Sequence, residues 1–190
     1  MLRKLYNLIF NTNHSGVINL TPDKQVKTST LKKPYSVSKN GIDFIKQWEG
    51  CKLTAYKDGG GVWTIGYGSI ANVKPGMTIT QDQAEKLLKD YLVKQDVELN
   101  KLLSGTELIS QEQYDAISSF AYNIGITQLK TSSFLKFLID KDWAKAANQL
   151  VRRDSKGIYH GWIYDNGKKV EGLINRRKTE KELFLRGSVV

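Results

Sequence analysis

Thiols are almost missing from this chain of 190 residues, in which Cys51 is the only cysteine. No intramolecular disulfide can form, and no thiolate metal cluster. Histidine is nearly as scarce. His14 and His160 stand far apart in sequence, which argues against a histidine zinc site or a Ser-His-Asp triad. No apolar run approaches the roughly 20 residues that a membrane span needs. The glycine-rich stretch GGGVWTIGYG contains neither GxGxxG nor GKS/T, so a phosphate cradle is unsupported. Internal repeats and low-complexity tracts are missing too. The opening MLRKLYNLIFN sets Arg3 and Lys4 before a short apolar core that includes Asn7. That core falls below the ~7–15 residues of a secretory signal. It reads as a short amphipathic piece, so the chain is expected to accumulate in the cytoplasm.

What is present suits a globular protein. Hydrophobic residues make up 40% and charged residues 25% of the chain, enough for one compact domain with an ordinary core. The formal net charge of +10 favours polyanionic partners: nucleic acid, an anionic envelope or an acidic polymer.

Residues 1–37 read as an N-terminal leader or arm, polar and rich in threonine and lysine from residue 11, with Pro22 and Pro34 and no helical periodicity. A short strand could form at Gly16–Leu20. The folded domain is expected over 38–190. In SKNGIDFIKQWEG, Ser38 or Asn40 can cap a helix whose apolar face carries Ile42, Ile45 and Trp48. Gly50 stops it, which leaves Glu49 on its last turn. The helix dipole prefers cations at that end, so this acid sits against local electrostatics. KLTAYKD and VWTIGYGSI, joined through DGGG, read as a hairpin over 52–70. Gly66 and Gly68 in its second half suggest close approach of backbone or ligand. The rest is helical. Capping boxes at Thr80–Gln83 and Ser110–Gln113 open two helices; SSFLKFLID, DWAKAANQLVRR and EGLINRRKTEKELFL give three more. The fold class expected is α+β: a small hairpin lobe and a larger helical lobe, bridged by the helix from Thr80. Cys51 is expected to be a small buried apolar residue.

Glu49, Asp58 and Thr64 invite a chemical reading. Cleaving a glycosidic bond takes a protonated carboxyl for the leaving oxygen and an ionised one for water or for developing positive charge. Glu49, beside Trp48, leaves an apolar helix face. Asp58 opens a polar turn, and Thr64 returns on the second strand, where its hydroxyl could hold a water. Spacing alone leaves a plainer option open, with Asp58 a turn former, Thr64 a strand former and Glu49 a surface acid.

The pattern E-x8-D-x5-T within EGCKLTAYKDGGGVWTIGYG resembles the catalytic segment of the phage-type lysozymes, the endolysins of glycoside hydrolase family 24. SFAYNIG, SSFLKFL and GLINRRKTEKELF follow in the family's order. The resemblance runs from about Ser38 to Phe184. It implies a lysozyme-like fold, with the active-site cleft between the lobes. It further implies hydrolysis of the β-1,4 bond between N-acetylmuramic acid and N-acetylglucosamine in peptidoglycan. Glu49 takes the general-acid role, Asp58 that of second carboxylate and Thr64 that of water holder, with inversion expected. Tyr56, Ile70, Tyr122, Asn123 and Ser133 fall at cleft positions, and Arg176 where an arginine turns toward the glutamate. Two departures stand out. Ser69 replaces a histidine found in some relatives, and residues 152–172 are longer than the family's usual join.

No cofactor or metal is expected, and the chain is expected to act as a monomer on glycan strands. From Lys141 onward twelve Lys and Arg face six Asp and Glu. That suggests attraction to anionic outer-membrane lipid through a basic C-terminal helix. A nucleic-acid-binding protein would account for the charge, but no helix-turn-helix, RRM or zinc signature appears. A non-catalytic wall-binding module also fits the charge, and a lytic transglycosylase, which needs one acid, would leave Asp58 and Thr64 idle. Trp63, Tyr67 and Trp162 could stack on sugars, or belong to the core.

Overall fold

The structure, a computed structural model, describes residues 34–104, 106, 110–165 and 167–187. The amphipathic start, the candidate strand at Gly16–Leu20 and most of the expected leader lie outside them.

Helix α1 spans Lys39–Glu49. Ser38 caps it, its Oγ accepting from the Gly41 amide at 3.1 Å. The same serine is tied down by a buried acid on another helix: its backbone amide donates to Asp115 Oδ1 at 2.9 Å. Gly50 ends the helix at φ 63°, a left-handed value that glycine adopts without strain. Strands β1 (Lys52–Lys57) and β2 (Trp63–Gly66) then pair antiparallel, with Tyr56 opposite Thr64. A second edge of β1 is covered by residues 77–79, through the Ala55 amide to the Met77 carbonyl and the Ile79 amide to the Leu53 carbonyl.

Helix α2 runs over Gln81–Leu102, and both halves of the Thr80–Gln83 capping box form. At 1.5 Å per residue its 22 residues make a strut about 33 Å long. Its first half gives Ala84, Leu88 and Leu92 to a small core shared with Ile45 of α1 and Tyr67 after β2. Its last turns give Leu99 to the larger helical core. One helix thus belongs to both lobes, as its sequence suggests.

Helix α3 (Gln111–Ile124) is buried continuously from Gln113 to Ala121. A helix enclosed on every side is the centre of its lobe, and α3 packs on α1, α2 and α7. Short helices α4 (Ile126–Lys130), α5 (Ser133–Ile139) and α6 (Trp143–Leu150) surround it, and α7 (Glu171–Arg186) closes the lobe. Phe120, Phe134 and Phe184 meet edge to face in this core.

Three sequence expectations need correction. Helix α6 stops at Leu150, and Val151–Arg153 form strand β3, paired with β4 (Tyr159–Gly161). β-Branched Val151 is extended, at φ −154°. The turn closes on Asp154, whose Oδ1 accepts from the Lys156 and Ile158 amides. Gly161 makes the return possible: it sits at φ +121°, and a Cβ there would lie 2.3 Å from the Leu150 carbonyl oxygen. A further hairpin, β5 (Tyr164–Asp165) with β6 (Lys168–Lys169), fills the rest of the long join. Helix α4 adds to the helices the sequence suggests. Finally, residues 35–37 are docked rather than free. The Tyr35 amide donates to Asn100 Oδ1 at 2.8 Å, and Val37 N to Asp96 Oδ2 at 3.2 Å. The Tyr35 ring stacks on Tyr114. The compact unit therefore begins at Pro34, inside the stretch read as leader.

Candidate active site

Glu49 is the last residue of α1, where the chain leaves the helix at Gly50. Its position against the helix dipole has a tertiary explanation. Arg176 of α7, 127 residues away, donates from Nη1 to Glu49 Oε1 at 2.6 Å. The arginine side chain is 4% exposed and the glutamate 19%. One carboxyl oxygen is thereby held from inside the protein. The other, Oε2, makes no hydrogen bond among the described residues and faces Gly68.

Gly68 is exposed at φ +97°, and a Cβ built on it would stand 3.8 Å from Glu49 Oε2 and 3.7 Å from Tyr122 Oη. Only a glycine keeps that side of the carboxyl uncovered without backbone strain. Gly68→Ala should cost about 1–3 kcal/mol of folding stability. It should also slow turnover by at least about tenfold, a barrier rise of roughly 1.4 kcal/mol. Initial rates of substrate clearance beside thermal melts would show both effects.

Tyr56 connects Glu49 to the hairpin. Burial raises its pKa, and then Asp58 and Glu49 push it further in the same direction. Both acids thus bear on the same phenol. Tyr122 closes another side. Its hydroxyl donates to the Tyr67 carbonyl at 2.6 Å. Burial raises its pKa, with Glu49 adding to the rise.

Asp58 Oδ1 accepts from the Gly60 and Val62 amides at 2.9 and 2.8 Å. Asp154 in the second hairpin makes the same turn, so the bonding at Oδ1 is structural. The difference lies at the other oxygen. Asp154 Oδ2 is bound to His160 at 2.8 Å, whereas Asp58 Oδ2 has no hydrogen-bond partner among the described residues. Thr64 is buried, and its hydroxyl donates to the Val62 carbonyl at 3.0 Å. Its lone pairs can accept from a water.

The other predicted residues divide. Ile70 is 60% exposed just beyond the Ile65–Ser69 bridge. Asn123 accepts from Arg177 Nη2 at 3.1 Å and lines a hollow with Gln128, Trp162 and Tyr164. Ser133 begins α5 and lines a separate hollow with Lys130 and Lys136; no contact joins it to Glu49. Tyr67 is buried and bonded to Gln81, so it serves the core. Trp162 packs edge-on against Phe120. Cys51 is exposed, contrary to expectation, because it follows Gly50 in the short link before β1 rather than facing a core. Among the described residues no three His, Cys, Asp or Glu side chains are grouped to hold a metal ion, and no helix is long and apolar enough to cross a membrane.

Sequence reasoning missed the support behind Arg176. Glu180 is fully buried and accepts from Arg176 Nε at 3.0 Å and from Ser119 Oγ at 2.7 Å. The signal was there to find: Glu180 lies four residues after Arg176 and three after Arg177, on the face that also carries Phe184.

The phage lysozyme family model matches residues 46–180. The chain belongs to the phage lysozyme family. It is 37% identical over 150 residues to an endolysin of Acyrthosiphon pisum secondary endosymbiont phage 1, covering 78% of this chain and 97% of that one. The endolysin of Salmonella phage P22 is 33% identical, with 78% and 97% covered. An endolysin of Bacillus phage B103 is 37% identical over 80% of this chain, which spans only 55% of that longer relative. In three dimensions this phage lysozyme superposes on an endolysin from Escherichia coli O157:H7 phage FAHEc1. That match has a TM-score of 0.61 and 33% identity, and covers 82% and 97% of the two chains. The muramidase domain of SpmX from Asticaccaulis excentricus matches at TM-score 0.65 and 29% identity, with 80% and 98% covered. This lysozyme is thus an α+β glycoside hydrolase with a lysozyme-like fold.

Proposed function

We propose that this phage lysozyme is an endolysin that hydrolyses the β-1,4 bond between N-acetylmuramic acid and N-acetylglucosamine in peptidoglycan. The observation that carries the reading is the Glu49 carboxyl, held at Oε1 by buried Arg176 and open at Oε2 beside Gly68. An anchored but uncovered carboxyl can give its proton to a leaving oxygen. Asp58 keeps Oδ2 unengaged, and Thr64 keeps its lone pairs. Together they hold a water on the other side of the sugar, as inversion requires. Protonation by Glu49 breaks the glycosidic bond. The water adds to the anomeric carbon, and Asp58 takes up its proton.

Muramidase action releases a new reducing end for each cut, whereas a transglycosylase would leave anhydro-muramyl ends. Purified peptidoglycan treated with the protein should gain reducing ends in step with turbidity loss. Asp58→Asn should slow both by at least ~10²-fold. Anhydro products, or a fully active Asp58→Asn, would refute the reading.

The enzyme acts on the wall after release, having accumulated in the cytoplasm. A second contact, with anionic outer-membrane lipid, draws on only part of the helix that the sequence suggests, joined by the arginines of β3. Arg176 and Arg177 are buried and cannot meet a lipid. Arg152, Arg153, Lys178 and Lys181 instead line a hollow around Tyr159, and among the described residues none of the four has an acidic partner. Arg153→Gln with Lys178→Gln should weaken sedimentation with anionic vesicles and leave neutral vesicles unaffected. Equal binding to both vesicle types would remove the lipid role.

A further inference from the structure

We infer that Glu180 is a positioning residue of the reaction: it fixes Arg176 against Glu49 and, by balancing charge, sets the pH above which activity is lost. The inference rests on Glu49 being the proton donor.

Every donor group of Arg176 is committed. Nε goes to Glu180 Oε1 at 3.0 Å, Nη1 to Glu49 Oε1 at 2.6 Å and Nη2 to the Ser119 carbonyl at 3.2 Å. Glu180 is the ionic anchor of that fork on the side away from Glu49. It also receives Arg177 Nη2 at 3.0 Å on Oε1, and Arg177 Nε lies 2.8 Å from Oε2. This last contact is an ion pair without good hydrogen-bond angles, which leaves both atoms formally unsatisfied. Burial pushes the Glu180 pKa up. Yet all its contacts are donors, two of them guanidinium groups, so the carboxylate is the form this site is built around. Burial lowers the Arg177 pKa to about 10, which leaves it cationic at neutral pH.

The charges can then be followed. Arg176 and Arg177 bring two positive charges within electrostatic reach of Glu49. Glu180 cancels one. Tyr56 of β1 and Tyr122 of α3 feel the charge of Glu49, Asp58 of the hairpin turn acts on the same Tyr56, and Tyr91 of α2 lies against Tyr122. Burial raises the pKa of all three tyrosines, so they stay neutral where a lysozyme works. The charged groups around them are Asp58, the two arginines, Glu180, Lys52, whose Nζ lies 4.0 Å from the centre of the Tyr56 ring, and Lys46 one turn back on α1, which is paired with Glu85 at 2.8 Å; of these the variants below change only Glu180 and Arg177. Without Glu180, an uncompensated cation would favour ionised Glu49, and a general acid that has lost its proton is inactive.

The test is the pH profile of lysis by the full chain on purified peptidoglycan. Glu180→Gln should move the alkaline limb about one pH unit toward acid, the lower end of what one nearby charge does. Arg177→Met, which leaves Glu180 to cancel Arg176, should move it the opposite way and decides the matter if the first variant fails to fold. The double variant should return the limb close to its original position. Unmoved limbs in folded single variants would overturn the inference, and if Glu49→Gln were inert they would do so while leaving the lysozyme reading intact. A fully lytic Glu49→Gln would instead remove the reading on which it rests.

Discussion

Glu49→Gln should abolish lysis, lowering the clearance rate by about 10²–10⁴-fold, the usual worth of a positioned general acid. The amide matches the carboxyl in size, and its oxygen can still accept from Arg176 Nη1, which now lies 2.6 Å from Oε1. The fold and the arginine fork therefore survive, and what is lost is a proton that can leave Oε2 for the substrate. Initial rates on purified peptidoglycan, with circular dichroism to confirm folding, provide the check. A folded variant with more than a tenth of the original rate would sink the assignment of Glu49. Product analysis on any residual activity adds a second criterion, since a bystander acid would leave the rate unchanged.

The largest stability effect is expected at Glu180→Leu. The glutamate is fully buried beneath two guanidinium groups, of which Arg176 is 3% and Arg177 0% exposed. Leucine occupies similar space but leaves both cations without their shared carboxylate. Arg176 keeps Glu49 as a partner. Arg177 keeps the Asn123 amide oxygen and the face of Phe120, 4.8 Å from its guanidinium carbon, neither of which carries opposite charge. Breaking a buried pair in this way costs about 3–5 kcal/mol. For a domain of this size that is a fall in Tm of roughly 6–20 °C, readable by calorimetry. A fall under about 2 °C would mean that water reaches the arginines once the acid is gone.

These two predictions depend on different kinds of information. Glu49 was visible in the sequence because a stop at Gly50 and an acid at the cation-favouring end of a helix are local patterns. Ser38, the two capping boxes and the Asp58 hairpin were legible for the same reason: each is closed by hydrogen bonds between residues a few positions apart. The errors fall where a local pattern met a tertiary demand. Val151–Arg153 continue a helical-looking stretch, yet they pair with Tyr159–Gly161 because Gly161 lets the returning chain cross close to Leu150. Cys51 looked like core by residue type, but the link before β1 has nothing packed over it. Tyr35 lacked any periodic neighbour and is nonetheless held by Asn100 and Tyr114, more than sixty positions along the chain.

By itself, the sequence determined the order of elements, the hairpin, the helix caps and the spacing of Glu49, Asp58 and Thr64, because short-range hydrogen bonds and apolar periods act over a few residues. Only the tertiary structure decided that Arg176 reaches Glu49 across 127 positions, that Gly68 leaves Oε2 uncovered and that Glu180 lies buried between two arginines. Those contacts arise when α1 and α7 both pack on α3. A buried charge becomes stable only once that packing brings its partners within hydrogen-bond distance.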